Sequence, residues 1–446
     1  MAKILFNLLG LRKVYKSIEA KDNNQSPKAK NLLHFSKEGE EIMRKIKSIA
    51  LSTGLVAALA ASPVFAEGPE ISGHVTANAG FQQDDGSTVD LGSCSFGLGG
   101  LGCNSIDTIG SGVGGLGGFR GLGNPNRTTF NFYLDEVEID VQKSFGENIR
   151  LRADIDFGRL LSGTTDLNAS AANSIVEQGY VTANIPVGNG MEFLVGRFNA
   201  PIGYESVDRI DNVAISYSSI FRYVRPHNLT GAKFYYAFND NVDLNVYVVN
   251  NLADTFSFGS GSDSAIPSWG TRLGFTWGEE GHENTLGISY AGGPENFGHN
   301  AHLTHMFDLD FTLWFSENLM LAGEGIYRMD NTNFVDSQGR DFNGLPNSKV
   351  LAGNLLLNWV ASDAWNLFFR YGYIHDINPT GAYTGLDQQI HDFTLGFGYN
   401  ITDDANLKME YRLDMRNYST AVANALTGGD QSSISHALLM QMGYRF

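Results

Sequence analysis

Cysteine is almost missing from this 446-residue chain: Cys94 and Cys103 are the only two, both in one glycine-rich segment. With 10 scattered histidines they supply no ligand spacing for a structural zinc site, although an exported, oxidising setting permits the two thiols to pair. Proline is sparse at 11 residues, and basic side chains are outnumbered 31 to 48, for a net charge of −17. That balance argues against nucleic acid as a partner. No amphipathic helical pattern stands out beyond residue 67, and a mean hydropathy of −0.16 excludes a bundle of membrane-spanning helices. It does not exclude a transmembrane barrel, whose inner face is polar. What the chain has in quantity is glycine, at 52 residues, and aromatic side chains, at 12%.

The carboxy-terminal stretch carries the clearest pattern. Leu438, Met440, Met442, Tyr444 and Phe446 alternate with Gln441, Gly443 and Arg445, the period-2 signature of a strand with lipid on one side and water on the other. Ending on Tyr444 and the terminal Phe446, it resembles the closing strand of a Gram-negative outer-membrane barrel, the one the assembly machinery recognises. No unpaired backbone edge persists in lipid, so the other strands must pair round to it.

Sixteen candidate strands follow Glu67. Leu151, Ala153 and Ile155 alternate with Arg150, Arg152, Asp154 and Asp156. Phe307 and Leu309 alternate with Asp308 and Asp310, and Leu407 to Met415 with Lys408, Glu410, Arg412 and Asp414. These ten charged residues are the candidate lumen-facing positions. The connections alternate strictly: seven tight turns, such as 145–147, 239–241 and 402–403, against eight long loops, such as 82–127, 201–228 and 330–349. The fold class predicted is therefore an all-β, up-and-down antiparallel transmembrane barrel of about 16 strands, with short periplasmic turns and long extracellular loops. Sixteen tilted strands enclose a backbone diameter of about 32 Å, too wide for side chains alone to fill.

Ahead of the barrel, residues 43–66 read as a secretory leader. Met43 to Lys47 is basic, Ile49 to Ala61 is a short apolar run, and Val64-Phe65-Ala66 is a small-residue cleavage site. The basic, unpatterned residues 1–42 are expected to be an upstream extension from a start codon assigned too early. Of the 31 basic and 48 acidic side chains, 11 and 5 precede Glu67, leaving a mature net charge of −23.

Loop 201–228 is the candidate constriction. Glu205, Asp208 and Asp211 come early in it, Arg222, Arg225 and His227 late; such segregation sets a field across a pore when the loop folds inward, and charges at a narrow point select ions. Loop 82–127 is glycine-rich and contains Cys94 and Cys103, a possible disulfide. His299, His302 and His305 are spaced like metal ligands on a helix, but at a loop-to-strand junction they are expected to be solvated. His74, His391 and His436 lack partner spacing, so no catalytic residues, cofactor or metal are expected.

Gly196 to Glu205, Ser216 to Phe221, Pro226 to Gly231 and Val248 to Asn251 resemble the beta-barrel porin group of the outer-membrane-protein-L-like kind. Gly203-Tyr204-Glu205 and Thr230-Gly231 are the more specific pieces; Asn250-Asn251 departs from the usual Asn-Gly. The resemblance implies a pore-forming protein in the outer membrane of a Gram-negative cell, and no catalytic residue. The function expected is passive diffusion of small hydrophilic solutes and ions, with weak cation selectivity; a non-conducting adhesin or surface-structural barrel is the alternative. Expected partners are outer-membrane lipid, lipopolysaccharide, the barrel assembly machinery and, as is common at this barrel size, two further copies in a homotrimer.

Overall fold

The computed structural model describes residues 68–85, 128–157, 176–252, 266–294, 303–330, 348–377, 388–418 and 432–446. The expected upstream extension 1–42 and leader 43–66, most of loop 82–127 with Cys94 and Cys103, His299 and His302 lie outside them. Glu70–Phe446 forms one compact unit. Its sixteen strands are β1 (Glu70–Asp85), β2 (Thr128–Phe145), β3 (Ile149–Asp156), β4 (Val176–Ile185), β5 (Met191–Asn199), β6 (Asn228–Asn239), β7 (Val242–Val249) and β8 (Ser268–Glu279). They continue as β9 (His282–Pro294), β10 (Leu303–Ser316), β11 (Leu319–Asp330), β12 (Ser348–Ser362), β13 (Trp365–Asp376), β14 (Gln388–Asn400), β15 (Ala405–Tyr418) and β16 (Ser432–Arg445). Each pairs with its sequence neighbours, and β16 returns to β1 to close the barrel. At the seam the terminal residue is itself a ladder partner: Gly73 N donates to the Phe446 carbonyl at 3.1 Å, and Phe446 N to the Gly73 carbonyl at 3.0 Å.

The two faces differ as the alternation requires. Outward side chains such as Phe132, Leu309, Leu357, Phe369, Leu395, Met442 and Tyr444 are exposed, an apolar surface far larger than a soluble monomer shows. The intervening side chains point inward, Asp154, Asp310, Glu324, Arg370, Glu410 and Gln441 among them, and are buried. His305 belongs to β10 rather than to the loop before it.

One irregularity matters for the interior. Thr76 pairs with Glu136 and Ala77 with Leu134, so Asp135 is bulged out of the β1–β2 ladder. Strict alternation would put one of two adjacent acids in lipid. The bulge instead leaves both Asp135 and Glu136 buried and bonded to the inner loop.

Candidate functional site

The loop between β5 and β6, residues 200–227, folds into the barrel. It contains a single 3₁₀ turn, Arg209–Asp211, and one short helix, α1 (Ser219–Tyr223), capped by the Ser218 hydroxyl accepting from Phe221 N at 3.2 Å. Its backbone is held by side chains reaching in from the wall. Glu410 on β15 accepts from Ile215 N at 2.7 Å and Ser216 N at 3.1 Å. The Lys408 ammonium donates to the carbonyls of Arg209 (3.1 Å), Ile210 (3.0 Å) and Asn212. Arg412 donates to the Tyr217 carbonyl, Asp392 on β14 accepts from the Ser219 hydroxyl, and Arg328 on β11 donates to the Val224 carbonyl. On the other side of the seam Arg209 pairs with Asp135 of β2 at 2.5 Å, and its backbone N–H donates to Glu136 at 3.0 Å. The loop is thus a strap fixed to β2 and to β11–β15. A chain crossing a lumen without its own ladder needs partners for its backbone groups, and charged wall residues supply them.

Packing completes the attachment. Ile202, Ile220 and Val224 of the loop form one buried cluster with Ile326, Val350, Ala352, Ile374 and Ile390 of the wall. Tyr217, Phe221 and His227 stack in sequence, with ring centroids 4.0 and 4.2 Å apart, and Arg225 lies 4.3 Å above Phe221.

This arrangement explains the Gly203-Tyr204-Glu205 triplet. Gly203 has φ +75°, and a Cβ there would stand 2.3 Å from Arg225 Nη1 and 2.6 Å from the Glu324 carboxylate. Only glycine fits beside that ion pair. Glu205 then turns back to accept from Ser218 N at 3.1 Å and from Arg370 Nη1 at 2.9 Å. Arg370 also donates to the Ser216 carbonyl at 2.6 Å and hydroxyl at 3.0 Å.

The six loop residues singled out in the sequence are distributed as follows. Glu205, Arg225 and His227 are buried in loop–wall or loop–loop contacts. Asp211 pairs with Arg445 where both are about half exposed. The Arg222 side chain lies outside the described ones. Asp208 faces the acidic side of the barrel, where its carboxylate lies within 4.8 Å of those of Glu138 and Glu177. Burial, with repulsion from Glu136 next in size, pushes the Asp208 carboxyl up to about 7. A second triplet, Glu138, Asp140 and Asp154, is equally close, and these are the described side chains whose spacing suits a cation. Acidic groups of this kind also gather without one.

Of the ten candidate lumen-facing residues, Asp154, Asp156, Asp308, Asp310, Lys408, Glu410, Arg412 and Asp414 are buried, several of them beneath the strap. Arg150 and Arg152 keep solvent access, Arg150 bonded to Glu192 at 2.9 Å. Inward Lys233 and Asp243, on β6 and β7, share that access. Sequence reasoning missed the wall anchors Asp135, Glu136, Glu324, Arg370 and Asp392. The adjacent acids Asp135-Glu136 inside an otherwise alternating run were a legible sign of the bulge; the other three were visible only as polar positions of alternating strands. Towards the short turns, a cavity of about 360 Å³ opens under the strap, lined by Asp211, Asn212, Asn358, Asn366, Lys408 and Arg445 among others.

Comparison with known proteins adds to this geometry. No curated protein matches the chain. Among solved structures it is similar to the outer membrane channel DcaP of Acinetobacter baumannii, with a TM-score of 0.54 and 12% identity over 85% of this chain and 97% of that one. It is also similar to an anion-selective porin from Comamonas acidovorans, with a TM-score of 0.50 and 11% identity over 85% and 99%. At such identities the likeness shows the barrel fold alone. A family model described as "Putative beta-barrel porin-2, OmpL-like" matches residues 117–442. With a closed sixteen-stranded barrel, an apolar belt and that match over most of its length, the chain belongs to this family of outer-membrane beta-barrel porins.

Proposed function

We propose that the protein is a water-filled channel for passive diffusion of small hydrophilic solutes and ions, weakly cation-selective and without enzymatic activity. One observation carries the reading. The strap buries Glu324, Arg370, Asp392 and Glu410 on β11–β15, whereas Arg150, Arg152, Glu192, Lys233 and Asp243 on β3–β7 keep solvent access, although Asp154, Glu177, Gln178 and Asn245 on those strands are buried. A path between the strap and the β3–β7 wall accounts for that difference. Loop 201–228 is then the constriction, and Asp208, beside Glu138 and Glu177, is its selective charge. The net charge of −23 beyond the leader favours cations at both mouths, an effect that fades beyond about 8–10 Å at ordinary ionic strength.

Small outward residues on one arc, Ala77, Ala79, Ala153, Ala183 and Ala232, allow close approach of a second barrel and support a homotrimer. Insertion by the assembly machinery, guided by Tyr444 and Phe446, belongs to the same reading. The test is single-channel current and reversal potential across a salt gradient in a planar bilayer. Discrete conductance with a modest cation bias that shrinks as salt rises is expected; absence of conductance would favour the adhesin or surface-structural alternative.

A further inference from the structure

Four consecutive hairpins, β9–β10, β11–β12, β13–β14 and β15–β16, repeat one feature on the lipid-facing side, between mid-strand and their extracellular ends. In each, a tyrosine on the first strand faces an apolar residue on the second: Tyr290 faces Phe307, Tyr327 faces Leu351, Tyr371 faces Phe393, and Tyr411 faces Leu438. Two residues nearer the loop, on the same outward face, stands a basic or imidazole side chain: His305, Lys349, His391 or His436. In three of the four, the tyrosine hydroxyl meets the histidine Nδ1, at 2.9, 2.9 and 2.6 Å.

These are unusual choices for a barrel's outer rim, where tyrosine and tryptophan alone suffice. At the short-turn ends the outward side chains include Trp277, Trp359, Trp365, Tyr399, Tyr444 and Phe446, all aromatic. His282 at that end is turned onto Trp314, with ring centroids 4.7 Å apart, and onto the Glu317 carbonyl. In the other half of the barrel Phe81 faces Phe130 and Val248 faces Trp269, with no such pair among the described residues. Among the described residues the tyrosine–histidine pairs are therefore confined to one leaflet and one arc, although Lys143 on β2 also faces outward at the short-turn end.

With the tyrosine hydroxyl donating to Nδ1, the imidazole carries its proton on Nε2, at the end of the ring away from the tyrosine. Each pair thus fixes a ring and leaves one N–H donor for the membrane interface, and Lys349 adds a full positive charge in the same register. Donors placed there need acceptors at headgroup depth, and anionic phosphoryl oxygens form the strongest such bonds. We infer that the extracellular rim of β9–β16 is a docking surface for the phosphoryl groups of an outer-leaflet lipid, read by His305, Lys349, His391 and His436. The inference rests on the protein's place in the outer membrane and not on its conducting.

The test titrates the full-length protein, in neutral detergent, with diphosphorylated lipid A, with the same lipid after phosphatase treatment, and with inorganic phosphate. Bound lipid is counted by native mass spectrometry. The intact protein should hold the phosphorylated lipid roughly tenfold more tightly than the dephosphorylated one. Changing His305→Phe, Lys349→Met, His391→Phe and His436→Phe together should abolish that preference and leave conductance unchanged. Equal affinity for the two lipids overturns the proposal, and this arm needs no variant to fold. Full competition by inorganic phosphate also overturns it, because the donors would then serve a water-borne anion and not a lipid.

Discussion

Removing the Arg370 guanidinium tests whether the strap is held by charge pairing or by apolar packing alone. Arg370 and Glu205 are both almost completely buried and 2.9 Å apart, and Arg370 makes two further bonds to Ser216. Deleting one partner of a buried pair leaves the other charge uncompensated, at a cost of about 3–5 kcal/mol. In Arg370→Leu, Glu205 retains the Ser218 N–H and hydroxyl, so the lower end of that range applies. A loss near 3 kcal/mol multiplies the population with segment 203–218 released by roughly 150-fold. Glu410 and Lys408 stay in place, and Asp392, which also faces Arg370 at 3.9 Å, keeps its bond from the Ser219 hydroxyl, so the barrel should remain folded. The readouts are amide exchange and single-channel conductance. Ser218 N–H, which donates to Glu205, should lose protection before Ile215 N–H, which donates to Glu410, and conductance should rise and become noisier. Adding Glu205→Gln should recover at least part of the protection, because the orphaned charge is gone. Parental exchange at Ser218 together with parental conductance in Arg370→Leu would refute the reasoning.

Three other outcomes follow from the same geometry. The Asp208 carboxyl, at about 7 in the folded protein against a usual 3.8, favours the folded state most below its unfolded value; that contribution is lost as pH rises from about 4 to 7, while the negative charge appears. Cation selectivity should therefore increase through a midpoint near pH 7, a step that reversal potentials should find missing in Asp208→Asn. Deleting Phe446, or changing it to Asp, removes the two seam bonds to Gly73 or the aromatic side chain on the lipid face, and should slow insertion, seen as lower outer-membrane levels in a pulse–chase. Mass spectrometry of the native protein should find Glu67 at the amino terminus, and an intact apolar run at 49–61 would contradict the leader assignment.

The barrel was legible because its information is local. Alternation in 405–416 and 434–446 needs no knowledge of partners, and turn lengths report which end of each hairpin faces the periplasm. The strap was legible only as a charged, glycine-poor loop. Its anchoring depends on meetings such as Lys408 Nζ with the Arg209 carbonyl, 199 positions apart, and Ile215 N with Glu410, 195 apart. Periodicity assigns Lys408 and Glu410 to the inner face but says nothing of whether water or loop backbone lies opposite. Arg225 likewise reads as a free cation in sequence, while in the fold it stands 3.6 Å from Glu324. Gly203 fits a family pattern on the page and acquires a reason only beside that pair.

The positions of the strap's anchors impose an order on biogenesis. Arg209 is tied to Asp135 on β2, while the carbonyls of Arg209 and Ile210 are tied to Lys408 on β15. Those two strands stand on opposite sides of the β16–β1 junction. Until that junction has zipped, no arrangement of the nascent sheet brings both anchors within reach of one 3₁₀ turn. The full set of strap bonds, from Asp135 to Lys408, is therefore complete only in the closed barrel. A barrel stalled before zipping would carry a strap bonded to one side of that junction alone.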